Sequence, residues 1–448
     1  MASACGCAVQ SPAIQTAKQT LHPGAPSRHY TGLVWLFVAA MLATHAFFFW
    51  SVRDRIARGD PDFTVFYTAG KILREGRGAQ LYDAPTQQTV QREFATDSDI
   101  RRGPLPYIHP PFEALFFLPL TFLPYSNAFV LWNLLNLGML FVIAGLMKQS
   151  MKSLRQVPVR QVHVRQIKVW QIVSMALAFF PIFANFHQGQ DAILLLLVGI
   201  MGFRALDKDA EFLAGCWLGF GLFKYHLILP LALILAIWKG KKFALGFIAV
   251  GAAVVLISLG LVGWRGALAY PAYAWQIVSE PRLGGIPARQ LPNLLGLLGG
   301  WRFSGKVGWP VELAVMAGSA ALLVISARMR DFANDQRYFR LCFAGAVIVA
   351  LLVGYSTNSY DLSLLVLPLA VAADHCLAGS SEEAATKVSL IVPAIPLLIS
   401  PIWFFLWMRW ESLNLMAIFL LWWAYAIRNE ILRLQRQSGG LRPGAQLA

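Results

Sequence analysis

Charge is scarce in this chain. Asp, Glu, Lys and Arg together make up 14% of the 448 residues and hydrophobic types 57%, with a mean hydropathy of +0.55. That balance excludes a string of soluble domains and implies many apolar helices in a lipid bilayer. Acidic residues are scarcer still: 23 against 38 basic ones, a net charge of +15. In a soluble domain such an excess would point to nucleic acid. In a membrane protein the basic residues gather on cytoplasmic loops and orient the spans, so a nucleic-acid partner is set aside. Cysteine is also sparse, with Cys5 and Cys7 in the N-terminal tail and Cys216, Cys342 and Cys376 in apolar segments, where extracytoplasmic disulfides do not form easily. There is no Gly-rich phosphate loop, no CxxC pair, no zinc-helix motif and no repeat of fixed period, so no cofactor is expected, while the spacing Asp60-x-Asp62 leaves a paired-carboxylate metal site open.

What the chain does have is one long polar island. Asp54, Asp60, Asp62, Glu75, Asp83, Glu93, Asp97 and Asp99 concentrate the acids before His109-Pro110-Pro111. Residues 53–111 therefore read as a first extracytoplasmic loop. Within it Asp62 is placed to cap a short helix in which Phe63, Phe66, Tyr67 and Leu73 recur at helical spacing, with Gly76 and Gly78 ending it. That amphipathic pattern predicts a helix lying on the membrane surface.

The organisation around it is an all-α, polytopic transmembrane bundle. Residues 1–30 read as a disordered cytoplasmic tail, residues 31–427 as the membrane-embedded domain, and residues 428–448 as a cytoplasmic tail. Residues 31–52 are long enough for a first span; 112–124 are too short to cross comfortably. Residues 148–168 carry Lys148, Lys152, Arg155, Arg160, Arg165 and Lys168 with no acid, which places them inside. The apolar run 213–238 is interrupted by Lys224-Tyr225-His226 and followed by Lys239, Lys241 and Lys242. A single span would invert every later loop, so two short helices meeting at Lys224 are expected, a break tolerated where protein or a wet cavity surrounds it. The later apolar runs then alternate to about twelve crossings, with 264–309 a second large outer loop and Glu382-Glu383 inside.

On this topology the polar interruptions share one side: Asp60, Asp62 and His109; His187, Gln188 and Gln190; Lys224 and His226; Arg289, Gln290 and Asn293; Tyr360 and Asp361. Interfacial His, Gln and Tyr are common, and Gln190 and Asn293 could equally cap helices. An Asp, a Lys and an Arg beside apolar helices are expensive unless they line a wet cavity. Tyr67, Tyr107, Trp275 and Trp301 could stack on a bound ligand or form the interfacial aromatic belt, the belt being the commoner role.

The pattern Asp62-Phe63-x3-Tyr67-x-Ala69-Gly70-x5-Gly76-x4-Leu81-Tyr82, followed by His109-Pro110-Pro111 and Trp132-x3-Asn136, resembles glycosyltransferase family 87, the polyprenyl-phosphate-sugar-dependent enzymes of the GT-C class. Gly189-Gln190-x4-Leu195, Gly221-Leu222-x-Lys224, Gln290-x2-Asn293 and Tyr360-Asp361 extend the likeness across most of residues 31–427. The resemblance implies a GT-C-like bundle whose first outer loop bears a catalytic carboxylate, an inverting reaction, a polyprenyl-phosphate-linked sugar donor and a lipid or envelope-glycan acceptor, with no metal needed because a monophosphate donor has no pyrophosphate charge to offset. It implies a multi-pass protein of a bacterial-type inner membrane with its site on the extracytoplasmic face. Well-studied members transfer mannose and carry histidines near the position of Tyr360-Asp361, so the sugar here is expected only to be a mannose-like hexose.

Such a transfer needs a carboxylate to take a proton from the acceptor hydroxyl, with Asp62 the candidate and Asp60 its neighbour. Cations must meet the charge growing on the departing phosphate, and Lys224, Arg289, His109 and His187 are the candidates, with His226 beside them. Gln190, Asn293, Tyr360 and Asp361 have the polar groups that sugar hydroxyls need. Two other classes fit a polytopic chain. A transporter or flippase of lipid-linked sugars would use Lys224 to bind substrate during alternating access and predicts inverted repeats; a scaffold would tolerate loss of Asp62, Lys224 and Arg289 together.

Overall fold

A computed structural model describes residues 28–95, 105–151, 167–279, 286–300, 308–378 and 384–439. The expectations for residues 1–27, Cys5, Cys7, most of the basic loop 148–168, Trp301 and Glu382-Glu383 lie outside the described residues. Those described form helices and turns with no strand. Five helices are long and apolar enough to cross a membrane, or up to seven if two bent helix pairs each count as one span. The chain is thus a polytopic helical bundle.

The elements that position the site are α1 (Arg28–Ser51), α2 (Phe63–Arg74), α3 (Tyr125–Ser150), α4 (Val169–Leu177), α5 (Phe180–Gln188), α6 (Ala192–Leu206), α7 (Glu211–Phe220), α8 (Tyr225–Lys239), α9 (Lys241–Ser279), α10 (Leu294–Gly299), α11 (Trp309–Ala327), α12 (Phe339–Val353), α13 (Val366–Ala378), α14 (Ser400–Trp410) and α15 (Met416–Gly439). By length and composition Glu211–Lys239 is one apolar run, but it is not straight. It passes through a 3-10 turn, Gly221–Lys224, and Lys224 has non-helical backbone (φ −110°, ψ 55°). A Cβ on Gly215 would meet Phe243 and Phe247, one on Gly219 would meet Phe247 and Val250, and one on Gly251 would meet Leu222. Residue numbers rise together along that contact, so α7 and the start of α9 run parallel, and α8 between them must run back. Lys239 accordingly returns to the charges of Asp209 and Glu211. The expected reversal at Lys224 is present. Glycine at the α7/α9 contact lets the two backbones approach, the usual way apolar helices associate where no water drives them together.

Two features of the expected outer loops differ from expectation. Helix α2 forms and stops near Gly76 (φ 70°), but its apolar face is packed against protein and is not left free for a membrane surface. Phe63, Phe66, Ala69 and Ile72 are fully buried, with the Phe66 ring stacked 4.5 Å from Phe117 and Phe63 edge-on to Phe129 at 5.6 Å. Each such aromatic contributes about 1.5–3 kcal/mol by leaving water, so the loop has its own core, shared with the turn segment Pro111–Phe122 and α3. The second difference concerns residues 264–309. Helix α9 continues through a kink at Gly263 to Ser279, so the first part of that expected loop is helical.

Candidate active site

The site forms where the polar loop meets three turns between helices. Helix α5 ends at Gly189, which adopts the left-handed conformation (φ 62°, ψ 39°), and the next two residues, Gln190 and Asp191, lead into α6. Trp132 Nε1 and Asn136 Nδ2 on α3 donate to the Gln190 carbonyl at 3.2 and 3.4 Å, so the Trp-x3-Asn spacing holds this turn in place. A Cβ at Gly189 would stand 2.7 Å from the Phe63 Cβ and 2.9 Å from Phe129. Glycine is what allows the turn to touch the residue next to Asp62.

Asp62 occupies the N-cap position of α2, yet its side chain makes no cap bond, contrary to expectation. Instead Gln190 Nε2 donates to Asp62 Oδ2 at 2.9 Å, and the Asp62 backbone N–H donates to Gln188 Oε1 at 3.0 Å. Lys224 Nζ donates to the other end of the Gln190 amide, Oε1, at 3.1 Å. With a carboxylate on one side and an ammonium on the other, only this orientation of the amide satisfies both neighbours. Lys224 is 2% exposed and also lies 3.1 Å from Asp191 Oδ1 and 3.3 Å from Asp361 Oδ1, both side chains fully buried, with the Tyr360 ring 4.9 Å beneath it. Asp361 Oδ2 accepts from the Asn358 backbone N–H at 2.8 Å and lies 3.9 Å from His226 Nε2. Asp191 likewise stands at the start of a helix without capping it. Both acids at helix starts are turned inward, toward Gln190 and Lys224.

The structure thus brings Asp62, Gln190, Lys224, Tyr360 and Asp361 together, with His226 at the edge. His109 joins from the other side: its Nδ1 is 2.9 Å from Glu113 Oε2. Burial, then the charge of Lys224, lowers the His109 pKa to about 3, so the ring is neutral near pH 7. Four expected residues are engaged elsewhere. Asp60 pairs with Arg55 at 3.3 Å. Arg289 pairs with Glu411, while its carbonyl accepts from the Leu413 and Asn414 N–H groups. His187 is buried among Phe48, Phe183 and Trp407. Asn293 accepts from the Gly296 N–H as the cap of α10 and donates to the Gly354 carbonyl at 2.6 Å. Of the aromatic candidates, Tyr67 donates to the Leu123 carbonyl, Tyr107 is fully buried and Trp275 is exposed.

Sequence reasoning missed two acids, Asp191 and Glu113. Glu113 is a single acid in the apolar run 112–124, and an ionisable residue in such a run is by itself a reason to look for a site. Asp191 was visible as the end of the polar stretch from His187. Among the described residues no group of three or more His, Cys, Asp or Glu is arranged to hold a metal; between Asp191 and Asp361 the cation is the ammonium of Lys224.

The sequence model of glycosyltransferase family 87 matches residues 107–354, more than half of the chain. The match takes in His109, Glu113, Gln190, Asp191, Lys224, His226, Arg289 and Asn293, and it leaves Asp62 and Tyr360-Asp361 outside. No curated protein matches the chain.

Proposed function

The chain belongs to glycosyltransferase family 87, and on that premise we propose that it moves a mannose-like hexose from a polyprenyl-phosphate donor to a hydroxyl of a lipid or envelope-glycan acceptor. Asp62 is the general base. It removes the acceptor proton as the acceptor oxygen attacks the anomeric carbon from the face opposite the phosphate. The bond from that carbon to the phosphate oxygen breaks, the polyprenyl phosphate leaves with the electron pair, and the configuration inverts. A base positioned in this way commonly contributes about 10²–10⁴-fold.

The observation that carries the assignment is the contact between Asp62 Oδ2 and Gln190 Nε2 at 2.9 Å. It ties a half-buried loop carboxylate to a buried network instead of to its own helix. In this reading Lys224, its charge already met by Asp191 and Asp361, orients Gln190 and through it Asp62. Arg289, with a side chain 25% exposed, is assigned to the donor phosphate by exchanging Glu411 for it, and Tyr360 with Asp361 to the wall beside the sugar. Family membership favours transfer over the flippase reading. We also read about twelve passes, with the polar loop and the site on the extracytoplasmic face of an inner membrane. The return of α8 to the end where α7 begins and the basic residues of 148–168 support that sidedness.

The test is transfer from polyprenyl-phosphate mannose in membranes carrying wild-type protein or Asp62→Asn, which keeps the shape and removes the base. Transfer should fall by about 10²–10⁴-fold with expression unchanged. Near-normal transfer by that variant rejects Asp62 as the base.

A further inference from the structure

Glu113 has no task in the reaction above, yet it is fully buried. It ends the short turn Pro111–Glu113, immediately after His109-Pro110-Pro111. The titratable groups around it are His109, whose Nδ1 is 2.9 Å from Oε2; Asp191, within hydrogen-bonding reach; Lys224, close enough for its charge to act; and the phenols of Tyr82, Tyr107 and Tyr360. Among the described residues the nearest nitrogens are His109 Nδ1 on Glu113 and Lys224 Nζ, 3.1 Å from Asp191 Oδ1, and neither is angled along a carboxyl lone pair. Two buried carboxyl groups in contact cannot both be charged, because they repel each other where no water screens them and neither offers the other a proton. One proton between them removes both penalties.

The surroundings decide which group carries it. Lys224 lies 3.1 Å from Asp191 and favours charge there, whereas the nitrogen nearest Glu113 belongs to a neutral imidazole. Lys224 supplies one positive charge to Asp191 and Asp361 already, and a third ionised acid would leave the fully buried cluster with a net double negative charge, which is far costlier than protonation. We propose that Glu113 is a permanently protonated positioning residue whose carboxyl O–H donates to Asp191 and holds that carboxylate against Lys224. Burial, followed by the charge of Asp191, acts in the same direction and raises the Glu113 pKa well above the usual carboxylate range. The consequence runs through contacts already described: Asp191 fixes Lys224, Lys224 fixes the Gln190 amide, and the amide presents its N–H to Asp62. The inference deepens the proposed reading and rests on Asp62 being the base for its kinetic part only.

Two measurements on the full-length protein test it. Infrared spectra of wild type and Glu113→Gln in detergent should show a neutral carboxylic-acid carbonyl band in wild type that persists across roughly pH 5–9 and is lost in the variant. Absence of that band from wild type overturns the proposal. In transfer from polyprenyl-phosphate mannose, Glu113→Gln, which keeps a donor in place of the acid O–H, should stay within about threefold of wild type with an unshifted acid limb of the pH profile. Glu113→Ala should lose kcat by on the order of 10- to 100-fold at unchanged donor KM, the scale of a misplaced catalytic group. A Glu113→Gln enzyme as impaired as Glu113→Ala, or a fully active Glu113→Ala, also overturns it. If Asp62→Asn stays active, the base assignment falls while the infrared result still decides the protonation of Glu113.

Discussion

The two ends of the bundle handle charge in opposite ways. At the end bearing Asp62, Lys224 is 2% exposed and Asp191 and Asp361 are fully buried. At the other end Arg340 meets Asp207 and Asp374 with side chains 13–27% exposed, and Arg337 meets Asp335 with 68% and 31% exposed. Ion pairs that keep contact with water are worth about 0–1 kcal/mol each and are screened by salt. A buried group of ions is different in kind: removing one member strands the others, at about 3–5 kcal/mol. The difference teaches where arrangement has been favoured over stability. The far end tolerates loss, while the Asp62 end holds a geometry that fails as a unit.

The largest expected effect therefore comes from breaking the buried group. Lys224→Met leaves Asp191 and Asp361 facing each other without a cation and releases Gln190. Unfolding in detergent should show a loss of about 3–5 kcal/mol, and transfer should be abolished with it. Adding Asp191→Asn and Asp361→Asn to Lys224→Met should restore much of the stability and none of the transfer, since neutral partners need no ammonium but cannot orient Asp62. Lys224→Met as stable as wild type would mean that the triad is not ionic, and the contrast between the two ends would collapse.

An intermediate effect comes from paired glycines. Gly189 and Gly240 both have positive φ, 62° and 73°, so alanine is strained at either, by about 1–2 kcal/mol or more. At Gly240 a Cβ meets nothing within 4 Å, whereas at Gly189 it strikes Phe63 and Phe129. Both Gly→Ala variants should lose stability on unfolding in detergent, and only Gly189→Ala should also lose transfer, by about tenfold or more, because Phe63 adjoins Asp62. Equal transfer by the two variants would show that the α5 turn does not position the loop.

Much of this fold was legible because lipid leaves a chain few options. Apolar run length, basic loops and the Lys224 break were enough to anticipate a polytopic helical bundle and the reversal between α7 and α8. Side-chain partners were less legible. Asp62 looks like a helix cap from sequence, and what draws it away is Gln190, 128 residues further on. Arg289 reads as a free cation until Glu411, 122 residues away, is seen beside it. Glu113 was passed over because one acid hardly alters the hydropathy of an apolar run. Long-range pairing has no local signature, and here it decides which charged residues belong to the site.

The smallest effect sharpens the contrast from the far end. Glu430 is that end's nearest counterpart to the buried group, 2% exposed, but its partners His375 and Arg433 are each about a quarter exposed. Burial alone would raise its pKa, and hydrogen bonds from His375 and Arg433 outweigh that to hold it at about 2. A folded-state pKa below the unfolded value of about 4.3 means stability that is present above pH 4.3 and lost as pH falls toward 2. Water reaching both partners keeps the amount to about 1 kcal/mol. Unfolding of wild type and Glu430→Gln compared from roughly pH 6 to pH 3 should give curves that converge on the acid side, because other carboxylates titrate equally in both and cancel in the difference. Transfer at neutral pH should be the same in the two proteins. Curves that stay parallel through that window would show that Glu430 gains nothing from its partners, and the contrast between the two ends would then rest on the buried group around Lys224 alone.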